Sequence, residues 1–244
     1  MITSKSNPLV KKINSLKEKK YRIQYGEFIV EGYKQVQEAL ASHQTVVCIV
    51  YSPRYNGNLT QDVRSVAVSA EVFEKLSEEV SPQGILAVLK IPETAPKKPI
   101  KNVLLLDGVS DPGNLGTIIR TANGAGYCDI YLKNCTDPFA PKCVRAAMSG
   151  IFFIRLHMIT EADIPTLFAD IPLICADMNG EDLYRFTPPE RYGLVIGNEA
   201  NGVSSMVREQ CFYTVRIPMR ECCESLNAGV SAGIIMYHLQ YCLN

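Results

Sequence analysis

Val103-Leu-Leu-Leu-Asp-Gly-Val-Ser-Asp-Pro-Gly-Asn-Leu-Gly-Thr-Ile-Ile-Arg120 decides the fold. Four consecutive apolar residues, Val103–Leu106, read as a short strand buried on both faces. Pro112-Gly113 makes a turn, and Asn114 stands where a helix over Leu115–Ala125 would begin, able to cap it. Strand, polar loop and helix within two dozen residues form one unit of a parallel α/β sheet. Arg120, six positions after Asn114, can send its side chain back towards the loop.

The same rhythm extends downstream. Strands are predicted at Asp129–Leu132, Leu173–Ala176, Leu194–Ile196 and Tyr213–Ile217. Helices are predicted at Pro141–Met148, Ile164–Phe168 and Ser225–Leu239. Such a sheet is mostly parallel and covered on both faces, and ligands gather at the carboxyl ends of its strands. Three loops there, 107–116, 197–204 and 217–229, are rich in Gly, Asn and charge.

Upstream, Pro92-Glu-Thr-Ala-Pro96-Lys-Lys-Pro99 holds neither helix nor central strand and reads as a stiff linker. The expected organisation is therefore a small domain over 1–91, a linker over 92–101 and a larger domain over 102–244. The small domain is predicted as an α/β sandwich. It opens with a Lys-rich helix carrying Leu9, Ile13 and Leu16, and its strands lie near Phe28–Val30, Val46–Tyr51, Val63–Val68 and Gly84–Leu89. Helices pass through Val36 and Leu40 and over Ala70–Glu79.

Lys+Arg and Asp+Glu both number 25, which excludes a generally basic nucleic-acid coat. The excess of basic residues is local: Lys5, Lys11, Lys12, Lys17, Lys19, Lys20 and Arg22 are opposed there only by Glu18, a run that can meet phosphates or form a solvated helix face. Nine cysteines, an odd number without a Cys-x-x-Cys pair, and three histidines give no zinc spacing, so no metal is expected. Free thiols, no export signal and no apolar membrane span point to a cytoplasmic protein.

Gly229-Val-Ser231-Ala-Gly233 fits a hydrolase nucleophile pattern, but no strand precedes it and no Asp or Glu follows Ser231. Small residues packing a helix against the sheet explain it better. Gly124-Ala-Gly126 reads as a helix end. In Leu194-Val-Ile-Gly197-Asn-Glu199-Ala-Asn-Gly202-Val-Ser204, Gly197 admits close approach of a ligand to the backbone. Gly202 allows a tight turn, and Ser204 can cap a following helix. Pro218 ends sheet pairing and frees the backbone of Ile217, while Ser225 and Asn227 offer short polar groups at a helix start.

Taken together, the blocks Asn114/Gly116/Arg120, Gly197-Asn-Glu199 with Gly202, and Ile217-Pro-Met219 through Ser225-Leu226-Asn227 resemble the SpoU family of RNA ribose 2′-O-methyltransferases, within the SPOUT class. Phe28-Ile-Val-Glu31-Gly32 and Ser81-Pro-Gln-Gly84-Ile85 make the first domain similar to that family's substrate-binding module, which resembles ribosomal protein L30e. The resemblance implies a C-terminal trefoil knot, an exception to the rule against threaded connections. It also implies S-adenosylmethionine bound by backbone groups near Gly197, Ile217 and Leu226, and a homodimer. The implied substrate is RNA, ribosomal more than transfer RNA, with no DNA and no membrane. Its implied catalytic set is Arg120, Asn114, Glu199, Ser225 and Asn227. An arginine is a poor base at neutral pH, so Arg120 is expected to grip a phosphate and stabilise negative charge on oxygen, oriented by Glu199. Departures from the family pattern are Gly229, Ser231 and the Cys222-Cys223 pair. A non-catalytic RNA-binding protein on the same scaffold is the main rival reading, and a serine hydrolase using Ser231 the lesser one.

Overall fold

The computed structural model describes residues 1–60, 62–221 and 225–241, so the Cys222-Cys223 pair lies outside the described residues. The chain divides into two compact units, residues 1–92 with 137–152, and 93–136 with 153–244.

In unit 1, α1 (Pro8–Ser15) begins at Asn7, whose side chain accepts from the Leu9 N–H, with Pro8 in the first turn. The single predicted opening helix is in fact two, because α2 (Lys19–Tyr25) starts afresh. Arg22 is the physical cause. Its Nη1 takes the Leu16 and Lys17 carbonyls, at 2.7 and 2.8 Å, which a continuing helix would have used. Next come β1 (Glu27–Glu31), α3 (Tyr33–Ala41), β2 (Val46–Tyr51), β3 (Ser65–Ala67), α4 (Ala70–Leu76) and β4 (Ile85–Lys90). The sheet runs β1-β4-β2-β3, antiparallel except for β2 with β3. Its core joins Val10, Ile13 and Leu16 of the opening to Phe73, Leu76 and Leu86.

That packing changes the reading of the basic opening. Lys12 is spent on Glu27, Lys17 on Glu78, Lys20 on Glu18 and Arg22 on Asp137. Only Lys5, Lys11 and Lys19 lack an ion pair among the described residues. Arg22 is 3% exposed and reaches Asp137 Oδ2 through Nε (2.9 Å) and Nη2 (2.6 Å). Removing one partner of such a buried pair strands the other charge. Asp137→Ala is therefore expected to lower the unfolding free energy by about 3 kcal/mol, measured by urea denaturation.

Unit 2 opens with β5 (Val103–Asp107), α5 (Pro112–Gly124) and β6 (Asp129–Lys133). The chain then contributes α6 (Pro141–Ala147) to unit 1. It returns through β7 (Arg155–Ile159), α7 (Ile164–Leu167), β8 (Leu173–Asp182), β9 (Gly193–Gly197), α8 (Ser205–Glu209), β10 (Cys211–Arg216) and α9 (Ala228–Tyr241). All six strands are parallel, in the order β10-β8-β9-β5-β6-β7.

Three details differ from expectation. The strand β7 was not predicted, because Arg-Leu-His-Met-Ile is broken by Arg155 and His157 and is no apolar run; His157 is buried and Met158 exposed. Next, β8 extends past Ala176: Cys175 pairs with Thr214 and Glu181 with Val215, so 176–180 bulge outward from adjoining pairs. Finally, the cap of α5 is Asp111, whose carboxylate accepts the Asn114 N–H at 2.8 Å. With Pro112 in the first turn the cap must precede it, which frees the Asn114 side chain for other work.

The order of strands reverses between β9 and β5. In open α/β sheets ligands bind at the carboxyl ends of the strands at such a switch point. The loops after β5 and β9 both emerge there.

Candidate active site

The loop after β9 is folded on itself. Asn198 and Gly202 exchange two backbone hydrogen bonds of 2.9 Å, and Asn198 Oδ1 accepts the N–H groups of Ala200 and Asn201 at 3.0 Å. Gly202 turns at φ +68°, a left-handed conformation costly to other residues. At Gly197, a Cβ would fall 2.2 Å from the Gly202 carbonyl carbon. What occupies the place of a Gly197 side chain is the chain's own backbone. Ser204 precedes α8 as expected, yet its hydroxyl accepts from Lys133 and does not cap the helix.

This fold projects Glu199 towards the loop after β5. Glu199 Oε2 accepts from the Ser110 N–H (3.1 Å) and hydroxyl (2.9 Å), and Oε1 from the Asp111 N–H (3.1 Å) and Asn114 Nδ2 (2.9 Å). Asn114 Oδ1 then accepts from Asn227 Nδ2 at 2.8 Å, and Asn227 Oδ1 accepts the Gly229 and Val230 N–H groups at the start of α9. A carboxylate is acceptor-only, so it dictates which way Asn114 faces. Asn114 in turn dictates the orientation of Asn227. One charge orders both amides, and through them the loop after β5 is joined to two loops that lie 85 and 113 residues further along the chain.

Burial pushes the Glu199 carboxyl up, but the hydrogen bonds from Asn114 and from the Ser110 and Asp111 backbone outweigh it and hold the group at about 2, against a usual 4.5. The sign follows from a depressed folded value. The stabilisation is fully present above pH 4.5 and is lost as pH falls through about 2. The protection factors of the Ser110 and Asp111 amides, taken relative to intrinsic exchange at each pH, are expected to fall across that window in the native protein, and Glu199→Gln to lack this acid-dependent step.

The predicted orienting contact between Glu199 and Arg120 is absent. Glu199 is already satisfied by the loop, and Arg120 lies about 120° around α5 from Asn114. Arg120 is exposed and makes no hydrogen bond or ion pair with any described residue.

Beside this chain lies a cavity of about 320 Å³, lined by Asp177, Met178, Ile217, Met219, Ser225 and Leu226 among others. Its volume falls in the range of small-molecule sites. Ile217 follows the last ladder pair of β10, so its backbone is outside the sheet. Apolar walls suit an adenine and a methionine chain, and the lining carries both Glu221, for the ammonium and sulfonium, and Arg216 and Arg220, for the carboxylate, so the residues present fit S-adenosylmethionine. Ile217, Ser225 and Leu226 share this cavity, while Gly197 is not part of its lining. Asp177, paired with Arg208, and Met178 were missed from sequence; both lie on the β8 bulge, which periodicity alone does not reveal.

Ser231 also faces the cavity, but it sits inside α9 and donates its N–H to the Asn227 carbonyl. The strand–turn–helix elbow of a hydrolase is not formed. The flanking glycines pack α9 on α5, not on the sheet: a Cβ at Gly229 would touch Thr117 and one at Gly233 would touch Thr121. His238 packs edge-on against Tyr184.

A six-stranded parallel sheet with this tripartite loop cluster is a SpoU methyltransferase scaffold, and the chain belongs to the SpoU rRNA Methylase family, whose profile matches residues 101–237. The MRM3-like substrate binding domain matches residues 7–87. The chain is 32% identical to the 23S rRNA (guanosine(2553)-2′-O)-methyltransferase of Bacillus subtilis, over 98% of each. It is 27% identical to a 23S rRNA (uridine(2479)-2′-O)-methyltransferase of Streptomyces viridochromogenes, over 88% of this chain and 83% of that one. The crystal structure of an AdoMet-bound rRNA methyltransferase from Sinorhizobium meliloti superposes with a TM-score of 0.89 at 28% identity, covering 100% of this chain and 98% of that one.

Proposed function

We propose that this protein methylates a ribose 2′-hydroxyl of ribosomal RNA using S-adenosylmethionine. The carrying observation is the Glu199–Asn114–Asn227 chain, which ties three loops together and ends at Asn227, next to Ser225 and Leu226 of the cavity lining. The cofactor supplies an electrophilic methyl group on a sulfonium, which leaves as a neutral thioether. Backbone groups at Ile217 and Leu226 hold it, and Gly197 lets the neighbouring loop close. Asn114, Ser225 and Asn227 place the ribose, and Glu199 keeps the two amides facing the right way. Arg120 grips the phosphate beside the target ribose and stabilises charge as the hydroxyl oxygen sheds its proton to water. The relatives act on different nucleotides of 23S rRNA, a guanosine and a uridine, so membership alone names no position. The test is to map ribose methylations in ribosomal RNA from cells lacking the gene. Loss of one 2′-O-methyl mark supports the reading, and an unchanged map refutes it.

The active assembly is a homodimer in this reading. The outward face of α9 carries Val230, Tyr237 and Tyr241, about half exposed and four to seven residues apart, a stripe suited to a second copy. Free thiols at the six described cysteines fit a reducing compartment, and we place the protein in the cytoplasm. Among the described residues, no helix is long and apolar enough to cross a membrane.

RNA recognition falls to unit 1. Deleting residues 1–22 would remove Val10, Ile13, Leu16 and Arg22 from its core, so charge neutralisation is the cleaner probe. Lys5, Lys11 and Lys19 changed together to Gln are expected to weaken RNA binding roughly tenfold and flatten its dependence on log salt by about 2. Melting should be unaltered.

A further inference from the structure

One buried charged cluster has no part in the chemistry above. Asp107 ends β5 and Lys133 ends β6, and they are register partners in adjacent parallel strands. Both side chains are 4% exposed. An ammonium group at that depth persists only when its donors are answered. Lys133 Nζ donates to Asp107 Oδ1 at 2.9 Å and to Ser204 Oγ at 3.0 Å, and lies 3.6 Å from Glu161 Oε2 at the surface. The second oxygen of Asp107 accepts the Ser204 N–H at 2.8 Å. Both members of the pair therefore close on Ser204, the residue at which the loop after β9 ends and α8 begins. Burial raises the Asp107 carboxyl, and the bonds from Ser204 and Lys133 outweigh it to keep the group below its usual range.

The two ends of this loop are held differently. Its tip is tied by Glu199 to exposed N–H groups, where water competes. Its exit is tied by charge-assisted hydrogen bonds from a buried ion pair to the part-buried Ser204, and such bonds are strong and directional. The loop's start is tied by Asn198, which donates from Nδ2 to the Gly108 carbonyl at 2.8 Å, so Ser204 is where Asp107 and Lys133 fix its exit.

We propose that Lys133 is a positioning residue for methyl transfer: with Asp107 it fixes Ser204, and thereby the loop that presents Glu199 to Asn114. It touches neither RNA nor cofactor. The inference rests on the function proposed above only where its effect is read as a methyl-transfer rate.

Two variants and two readouts test it. Lys133→Met keeps the side-chain length but leaves Asp107 buried without its counter-ion. Lys133→Met combined with Asp107→Asn removes both charges while the Asn oxygen can still accept the Ser204 N–H. In the single variant, single-turnover transfer to 23S rRNA is expected to fall about 10- to 100-fold, with KM for RNA within about twofold. The Ser204 amide should exchange at least about tenfold faster in native buffer. In the double variant both readouts should return to within about fivefold of wild type. Lower melting with unchanged turnover per folded molecule and unchanged Ser204 protection would overturn the proposal. So would a folded double variant whose Ser204 amide is as exposed as in the single. If the single variant does not fold, the double alone decides by the same limits. If the wild-type protein methylates no RNA, the proposed function fails, while Ser204 exchange still decides the role of Lys133.

Discussion

Arg120→Ala is expected to reduce methyl transfer about 10²- to 10³-fold while leaving melting and S-adenosylmethionine affinity unchanged. The Arg120 side chain is exposed and without a described partner, so its removal strands no charge and opens no cavity. Neighbouring positions of α5 are otherwise: Leu115, Ile118, Ile119 and Ala122 are buried. An unpartnered arginine on a helix whose first turn belongs to the site can meet a phosphate through two parallel N–H donors. Loss of one preorganised donor to developing negative charge costs about 10²–10³ in rate. Arg120→Lys should recover little, because an ammonium group offers no planar fork. Single-turnover kinetics with saturating cofactor, alongside calorimetric cofactor titration, measure the two quantities separately. Near-native turnover in Arg120→Lys with unchanged RNA affinity would defeat both the electrostatic role and a role in deprotonation.

Gly197→Ala is expected to abolish measurable turnover although the protein still folds. The added Cβ would lie 2.2, 2.3 and 2.5 Å from the Gly202 carbonyl carbon, the Val203 nitrogen and the Gly202 oxygen. All three are backbone atoms, so no side-chain rotation relieves the overlap. The loop must open, breaking the Asn198–Gly202 pair and withdrawing Glu199 from Ser110, Asp111 and Asn114. Asn114 and Asn227 then lose the charge that orders them. Leu105 and Val195 keep their places in the sheet core, and of that cluster Val203 is the member on the displaced loop. Gly202→Ala is the internal control. A Cβ there meets nothing within 4 Å, but φ is +68°, so the cost is conformational, about 1–2 kcal/mol. Turnover in that variant should fall far less. Equal loss in both variants would show that loop conformation, not closure on Gly197, governs the site.

What could be read beforehand depended on how local its cause was. Val103–Leu106 and Leu194–Ile196 were legible as strands because both faces of a parallel sheet demand unbroken apolar runs. The edge strand β7 was not legible, because Arg155 and His157 interrupt its apolar residues and the burial of His157 depends on Asp129 and Tyr131 of the neighbouring strand. In the opening segment, helical spacing was visible, but the break at Leu16 depends on Arg22 and Asp137, residues 115 positions apart. The same distance effect governs the lysines. Composition counts charges, and only folding shows that Glu27 and Glu78 have already claimed Lys12 and Lys17.

The site divides in the same way. Asn114, Glu199 and Asn227 were singled out as residue types, and the resemblance set them in one pocket, yet their order of hydrogen bonding emerges only in three dimensions. The cap of α5 was legible and was misread: Pro112 in the first turn required Asp111 before it. The bulge at 176–180 and the Asp107–Lys133 pair have no local signature, since each is a consequence of strand register.

The most direct test of the account is the chemical position of the transferred methyl group. Purified protein, S-adenosylmethionine labelled in its methyl group and unmethylated 23S rRNA should give label in a dinucleotide that resists alkaline hydrolysis, because a methylated 2′-oxygen cannot attack the adjoining phosphate. Label on a base, or none on any RNA from cells lacking the gene, would contradict it.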